Sequence, residues 1–148
     1  IGSFIEAMNE HNIIPECECF DTGIVRSVGL FQQTGLLKGP AHVSFVMGVA
    51  SGMPAKASWL PLLIEELPEN SHWQTIAIGR ADVWPLHRRT IELGGHVRTG
   101  LEDTFYLPSG DKTNSNGKLV AALAALVEES GRSIASPAET RALYCLDG

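Results

Sequence analysis

Three charged side chains whose types could support catalysis lie close together in the second half of the chain: Arg98, Glu102 and Asp103. A carboxylate can bind a divalent metal ion, and a second carboxylate can remove a proton from a substrate. An arginine beside that base favours its ionised form and can orient it. Structural ion pairs are also common in proteins, and a pattern as short as this one is compatible with such a pair. The residues alone therefore leave two interpretations open, a catalytic set or a buried ion pair beside a surface carboxylate.

The stretch that carries these residues is predicted to form a strand over 96–101. Because side chains alternate between the faces of a strand, Arg98, Gly100 and Glu102 would share one face, and the alternate residues would pack on helices. Gly100 would leave open space between the cation and the carboxylate. Glu102 and Asp103 would then lie at the C-terminal end of the strand, where barrel enzymes place their catalytic groups.

Helical and strand patterns alternate along the whole chain, and a unit of one strand and one helix recurs about every 30 residues, which indicates a parallel sheet. A first helix capped by Ser3 and ended by Asn12 precedes the strands, and a capping box at Ser136 and Glu139 begins a short last helix. The predicted strands are 13–20, 42–47, 73–78 and 96–101, and the helices between them span 22 to Gly35, about 58–67, about 83–93 and the apolar stretch after 116.

Four such units make half of an eight-unit barrel, which needs about 250 residues. An open doubly wound sheet is the alternative. No glycine-rich nucleotide fingerprint follows any strand, and Glu16 and Glu18 would be buried if helices covered both faces of a sheet. We therefore predict an α/β fold, the second half of a (β/α)8 TIM barrel with C-terminal helices, in which residues 1–148 form the C-terminal portion of a single barrel domain.

The composition is that of a folded domain with an acidic balance. The chain is 44% hydrophobic and 19% charged, with a net charge of -6, which argues against nucleic-acid binding. No apolar run reaches the roughly 18 residues that a membrane span needs, and no signal peptide is visible. The chain has three cysteines, and an odd number argues against a disulfide framework. We therefore expect a reducing, cytoplasmic compartment. The start at Ile1 rather than at a methionine is typical of a segment of a longer protein, and removal of a leader or trimming of the chain would give the same start.

Several motifs together resemble the β-keto acid cleavage enzymes, a family that includes the 3-keto-5-aminohexanoate cleavage enzyme of lysine fermentation. The likeness covers nearly all of this chain but only the second half of the family's barrel. The motifs are GGHVRTGLED at 94–103 with YLP at 106–108, PECECFD at 15–21, FVMGV at 45–49, GMP at 52–54, AIGR at 77–80, TNSN at 113–116, LV at 119–120 and SPAE at 136–139.

This resemblance implies a reaction and roles for particular residues. Enzymes of the family condense a β-keto acid with acetyl-CoA and cleave the adduct to acetoacetate and a new acyl-CoA, using a divalent metal, normally zinc, as a Lewis acid. By the same resemblance, Glu102 would be a zinc ligand, Asp103 the base and Arg98 the residue that holds the base in position. Glu18 matches a carboxylate in the family's substrate pocket. A homo-oligomer is expected for the complete protein.

The chain departs from the family in one respect that concerns the metal. The family's other two zinc ligands form a His-x-His pair on an early strand, and this sequence has no such pair, because its histidines are His11, His42, His72, His87 and His96. A zinc site needs about three protein ligands. We therefore expect the remaining ligands to come from the missing N-terminal half, and we expect this chain alone to be inactive.

Other candidate residues have competing interpretations. Arg80 follows a predicted strand and could bind a CoA phosphate or a substrate carboxylate, or could form a surface ion pair. The loop 109–115 could bind an anion or could be a capped turn. Cys17 and Cys19 are expected to pack on helices rather than to bind metal. His42 and His96, at strand starts, are expected to be structural.

Two other functions remain open from the sequence. The chain could be a non-catalytic half-barrel that acts as an assembly or interaction module, or it could belong to a different barrel enzyme, an aldolase or lyase with the same rim of carboxylates. Activity without CoA would favour the last of these. An upstream strand with a His-x-His pair would favour the cleavage enzyme.

Overall fold

The computed structural model describes residues 1–146, which form one parallel sheet with its helices. Among these residues, no helix has the length and apolar character that a bilayer crossing requires. In chain order the elements are α1 (Gly2–Glu10), β1 (Glu16–Cys19), α2 (Thr22–Gln33), β2 (His42–Met47), a 3-10 turn (Ala57–Trp59) that leads into α3 (Leu60–Glu65), β3 (His72–Ala77), α4 (Val83–Glu92), β4 (His96–Arg98), α5 (Asn116–Glu129) and α6 (Pro137–Leu143).

The four strands are hydrogen-bonded in the order β1-β2-β3-β4, and every neighbouring pair is parallel. Glu18 is level with Ser44, Ser44 with Gln74, and Gln74 with His96. In an open doubly wound sheet the strand order reverses at a switch point. The unbroken sequential order is that of consecutive strands in a barrel wall.

The two faces of the sheet differ in chemistry. The outer face packs on the helices, with Phe45 and Ala77 fully buried against residues such as Leu63. The opposite face, which we call the inner face, carries Glu16, Glu18, Ser44, Gln74 and Arg98. Its lower part is held by hydrogen bonds, because Gln74 Nε2 donates to Glu16 Oε1 at 2.9 Å and to Ser44 Oγ at 2.8 Å. A polar face without covering helices is expected inside an incomplete barrel.

The predicted helix ends are largely confirmed. Asn12 has a φ of 53° and Gly35 a φ of 74°, and both are the left-handed residues that follow a helix. The capping box at Ser136 and Glu139 is present, with both hydrogen bonds formed. The predicted cap at Ser3 is wrong, because α1 begins after Ile1 without a side-chain cap.

The first strand is shorter than predicted. Residues 13–15 lie outside β1, which begins at Glu16. The backbone N–H of Ile13 donates to the carbonyl of Met8 at 2.8 Å and so completes the end of α1. Pro15 has no N–H to offer to a ladder. This segment is therefore a connection, whereas β2 has the predicted bounds because all six of its residues are buried.

The last strand also ends early, at Arg98 rather than at residue 101. The carbonyl of Gly100 accepts hydrogen bonds from the N–H groups of Asp103 and Thr104, both at 2.9 Å, so the chain turns there. The N–H of Leu101 donates to Asn116 Oδ1 at 2.8 Å instead of to a strand. A Cβ atom on Gly100 would lie 3.3 Å from that same oxygen. Gly100 therefore makes room for Asn116, not for a gap between Arg98 and Glu102.

The lower end of the inner face is an aromatic cluster. The rings of His42 and His72 stack with centroids 5.3 Å apart, and Tyr144 lies 4.8 Å from His42 and 6.2 Å from His96. This cluster lies at the start of the strands, at the opposite end from Glu102 and Asp103. His42 and His96 thus occupy packing positions, as expected.

Candidate functional site

The acidic residues of the site are held by a turn that is tied to two strands. Arg98 is the last residue of β4, and the turn from Gly100 brings the chain back so that Asp103 returns beside it. The carbonyl of Asp103 accepts a hydrogen bond of 3.2 Å from the N–H of Gly79, just beyond β3. Both strands therefore fix the position of Asp103 at the C-terminal edge of the sheet.

Arg98 donates two hydrogen bonds to the carboxylate of Asp103. Its Nη2 donates to Asp103 Oδ1 at 2.7 Å and its Nε to Oδ2 at 3.2 Å. The Asp103 side chain is only 2% exposed. The hydrogen bond to Asp103 is the main cause of a raised pKa for Arg98, which therefore keeps its positive charge. A two-point contact of this kind fixes the orientation of the carboxylate as well as its charge.

Two further carboxylates approach the same guanidinium. Glu102 Oε2 lies 3.3 Å from Arg98 Nη2, with its side chain 82% exposed, and Glu18 Oε1 lies 3.7 Å from Nη1, with its side chain 46% exposed. The structure therefore brings together four of the five residues predicted for the site. The predicted position of Arg98 and Glu102 on one face of a continuous strand is wrong, because the strand ends at Arg98 and the two residues meet across a turn.

The described residues do not form a metal centre by themselves. Within residues 1–146 no group of three or more His, Cys, Asp or Glu side chains could hold a metal ion. Glu102 is exposed and has free oxygen lone pairs, so it can supply one ligand. A zinc site needs about three, so the residues present fit one part of such a site and not the whole.

Arg80 is not part of the Arg98 cluster. Its exposed guanidinium lies 5.8 Å from the centre of the Tyr106 ring, and Lys112 Nζ lies 5.6 Å from the same centre. Among residues 1–146, neither Arg80 nor Lys112 forms a salt bridge. The sequence singles out Arg80 and the loop 109–115 that contains Lys112, but not Lys112 itself, because a lone lysine in a polar loop gives no signal of its own.

His87 is a second residue that sequence reasoning left unassigned. It is fully buried on α4, and neither ring nitrogen has a hydrogen-bond partner. Burial lowers the pKa of His87 to about 4, and the nearby charge of Asp103 opposes this shift only in part. The buried residues Leu86, Thr90 and Ile91 share the face of α4 that carries His87. Helical periodicity alone could therefore have predicted its burial.

The two cysteines of β1 pack as expected. Cys19 is fully buried in the core cluster, and Cys17 packs against it. Burial is the main cause of the raised pKa values of both thiols, to about 12 for Cys19. A thiol that resists ionisation is a poor metal ligand, and both cysteines are free.

Comparison with known proteins gives the family. A model of the beta-keto acid cleavage enzyme family matches residues 1–146. The chain is 37% identical over 146 residues to the 3-keto-5-aminohexanoate cleavage enzyme of Fusobacterium nucleatum, covering 99% of this chain and 53% of the relative. It is 39% identical over 142 residues to the 3-oxoadipate:acetyl-CoA acetyltransferase of Cupriavidus necator, covering 94% of this chain and 50% of the relative.

A third relative and a solved structure extend the comparison. The chain is 31% identical over 135 residues to the 3-dehydrocarnitine:acetyl-CoA trimethylamine transferase of Rhizobium meliloti, covering 90% of this chain and 44% of the relative. The apo structure of ObcA has a TM-score of 0.80 at 16% identity, covering 97% of this chain and 39% of ObcA, a likeness of fold alone.

The chain spans about half the length of the curated relatives that it matches. This span and the sequential parallel sheet confirm the predicted fold class, the second half of a TIM barrel. The match of the family model over residues 1–146 shows that the chain belongs to the beta-keto acid cleavage enzyme family.

Proposed function

We propose that this chain is the C-terminal portion of a single TIM-barrel domain that cleaves a β-keto acid with acetyl-CoA, giving acetoacetate and a new acyl-CoA. The observation that carries the proposal is the grip of Arg98 on the buried Asp103 at the C-terminal edge of the sheet. Relatives named as acetyl-CoA transferases of 3-oxoadipate and of 3-dehydrocarnitine support the use of acetyl-CoA and of a keto acid.

Asp103 acts as the base in this proposal. It accepts the proton from the carbon between the keto group and the carboxylate, and the resulting enolate carbon attacks the thioester carbonyl of acetyl-CoA. A carbon–carbon bond forms and CoA thiolate leaves. The thiolate then attacks the original keto carbon, the bond from that carbon to the former enolate carbon breaks, and Asp103 returns the proton as acetoacetate forms. Each carboxylate oxygen retains a lone pair for this proton despite the contact with Arg98.

Arg98 is a positioning residue in this scheme. Its two hydrogen bonds hold Asp103 in one orientation, so the base does not have to be ordered during the reaction. Glu18, whose carboxylate lies 3.7 Å from Arg98 on the inner face, accepts a hydrogen bond from the substrate in this proposal. Arg80 lies farther along the rim and is assigned to the acetyl-CoA side of the site.

We assign a zinc ion to the complete site. Glu102 would supply one ligand, and the others would come from the N-terminal half of the barrel. The metal would supply Lewis-acid polarisation of the substrate's keto group. The lack of a complete ligand group within residues 1–146 supports the view that this chain is inactive alone. The same observation favours a second candidate function, a non-catalytic half-barrel that assembles with another chain.

The cysteines and the sheet edges bear on the cellular compartment and on the assembly of the protein. Three free cysteines, Cys17, Cys19 and Cys145, support a reducing and therefore cytoplasmic compartment. The two open sheet edges, β1 and β4, support assembly with further strands. We expect the complete protein to form a homo-oligomer.

The proposal is tested with the complete barrel that contains this chain. The purified protein is incubated with acetyl-CoA and, in turn, with 3-keto-5-aminohexanoate, 3-oxoadipate and 3-dehydrocarnitine, and acetoacetate and acyl-CoA products are measured by mass spectrometry. Formation of both products from at least one acid supports the cleavage enzyme. Turnover in the absence of acetyl-CoA would instead indicate an aldolase or lyase, and a lack of turnover with every acid would favour the assembly module.

A further inference from the structure

Two positive side chains each lie close to the same aromatic ring at the rim of the sheet. The guanidinium of Arg80 lies 5.8 Å and the ammonium of Lys112 lies 5.6 Å from the centre of the Tyr106 ring. Both distances fall within the range of about 6 Å at which a cation is attracted by a ring face. Tyr106 therefore attracts both cations to the same part of the rim.

The loop that carries Tyr106 and Lys112 is tightly built. Tyr106 and Lys112 form an antiparallel bridge, and on its two sides Thr113 N–H donates to the Phe105 carbonyl at 2.8 Å and Leu107 N–H to the Asp111 carbonyl at 2.9 Å. The indole N–H of Trp84, on α4, donates to the Tyr106 carbonyl at 2.9 Å. The ring and the lysine are therefore neighbours because of the backbone, not by chance contact of long side chains.

The two cations lack a counter-charge within the described part of the chain. Arg88, Arg89 and Arg98 each form a salt bridge, whereas Arg80 and Lys112 form none with any carboxylate of residues 1–146. Asp82, two residues along the chain, accepts the backbone N–H of Arg80 at Oδ1 at 2.9 Å and forms no salt bridge with the Arg80 guanidinium. Other cations of the described residues, such as Arg26 and Lys56, also lack a salt bridge. Arg80 and Lys112 differ from these in lying over the same ring, and two such cations without a carboxylate partner suit an anionic ligand.

The position of this pair agrees with such a ligand. Arg80 follows β3 and Lys112 follows β4, which are the seventh and eighth strands if the chain is the second half of a barrel. Barrel enzymes often bind phosphate with the loops after these two strands. Gly79, next to Arg80, donates its N–H to the Asp103 carbonyl at 3.2 Å, so the backbone beside Arg80 adjoins that of the proposed catalytic base.

We propose that Arg80 and Lys112, gathered by Tyr106, form a subsite for the phosphate groups of acetyl-CoA. This inference rests on the proposed function, since it names the part of the site that receives the nucleotide end of that substrate. The thioester would then extend from the rim toward Asp103. The alternative is a purely structural cluster in which Tyr106 screens two surface cations.

The test compares acetyl-CoA with acetyl-pantetheine, a thioester that lacks every phosphate group. In the complete enzyme, kcat/KM is measured with both thioesters for the wild type, Arg80→Gln, Lys112→Gln and the double variant. Lys38→Gln serves as the matched control, because Lys38 is exposed in the loop ahead of β2, at the other end of the sheet. Binding of CoA and of pantetheine is measured in parallel by calorimetry, which does not depend on turnover.

We expect each single variant to reduce the preference for acetyl-CoA over acetyl-pantetheine by about three- to tenfold, the effect of losing one contact to a charged group. The double variant should lose more, and Lys38→Gln should keep the wild-type preference. An unchanged preference in both single variants and the double variant would overturn the subsite. If the wild type binds CoA but shows no turnover, the proposed reaction is contradicted. The subsite is still supported in that case if CoA binding weakens in both Arg80→Gln and Lys112→Gln.

Discussion

The carboxylate of Glu18 and the guanidinium of Arg98 lie 3.7 Å apart although they belong to β1 and β4, the opposite edges of the sheet. Three strand spacings of about 4.8 Å would place these strands about 14 Å apart in a flat sheet. Because the Glu18 and Arg98 side chains stand on one face of the sheet and cover only part of this distance, the contact indicates a sheet that curves around its inner face. A curved, polar inner face that gathers distant residues is how a barrel wall assembles its site.

The two hydrogen bonds from Arg98 to Asp103 predict that Arg98→Met strongly lowers the free energy of unfolding. This change leaves a carboxylate that is 2% exposed without two of its hydrogen bonds. We expect the free energy of unfolding of the complete barrel to fall by about 2–4 kcal/mol, measured by urea denaturation. Arg88→Met is the control, since Arg88 and Glu129 are 46% and 62% exposed and their pair should contribute at most about 1 kcal/mol.

A loss in Arg98→Met no larger than that in Arg88→Met would show that the Arg98–Asp103 contact does not stabilise the fold. Adding Asp103→Asn to Arg98→Met should recover part of the loss, because the unpaired buried charge is then removed.

The proposed metal role of Glu102 predicts a selective loss of zinc in Glu102→Ala. The side chain is 82% exposed, so its removal should leave the fold and the Arg98–Asp103 contact intact. Removing one of about three ligands should lower zinc affinity by at least about 100-fold, measured by elemental mass spectrometry after dialysis against a weak chelator. Glu92→Ala, at an exposed position on α4, is the control. Zinc retention equal to that of Glu92→Ala would remove Glu102 from the ligand set.

Sequence reasoning predicted those features that depend on neighbouring residues. The bounds of β2 follow from six consecutive buried residues, and the capping box at Ser136 follows from residue types at fixed spacing. The early end of β4 did not follow, because it depends on Asn116, a residue distant in sequence whose side chain takes the N–H of Leu101. The contact of Glu18 with Arg98 likewise depends on the curvature of the sheet, which no local pattern encodes.

Burial of His87 predicts a pH dependence of stability. The pKa of His87 is about 4 in the folded chain against an ordinary value of 6.5. Between these values the unfolded chain binds more protons, so stability is complete above pH 6.5 and falls as the pH is lowered toward 4, by about 3 kcal/mol. His87→Leu should remove this contribution, so the difference in unfolding free energy between wild type and variant should change across this range. If the unfolding free energies of wild type and His87→Leu change in parallel from pH 6.5 to 4, His87 does not cause the pH dependence.

Gly48, directly after β2, has a backbone conformation and surroundings that leave no room for a side chain. Its φ is +99°, and a Cβ atom would lie 2.0 Å from the carbonyl oxygen of Ile78. We expect Gly48→Ala to lower the unfolding free energy by more than about 3 kcal/mol. Gly110→Ala is the matched control, because Gly110 has a φ of +89° but open space around it, and its cost should be about 1 kcal/mol. Equal costs at the two positions would mean that the approach of Ile78 is unimportant.

In the proposed reaction Asp103, held by Arg98, removes the proton that starts an exchange between a β-keto acid and acetyl-CoA. The most direct measurement supplies the complete enzyme with acetyl-CoA labelled with 13C in both acetyl carbons and follows the label by NMR, in the wild type and in Asp103→Asn. The wild type should place both labelled carbons at C3 and C4 of acetoacetate. Asp103→Asn should slow this transfer by about 100-fold or more with zinc content unchanged. Unlabelled acetoacetate from the wild type, or undiminished transfer in Asp103→Asn, would contradict it.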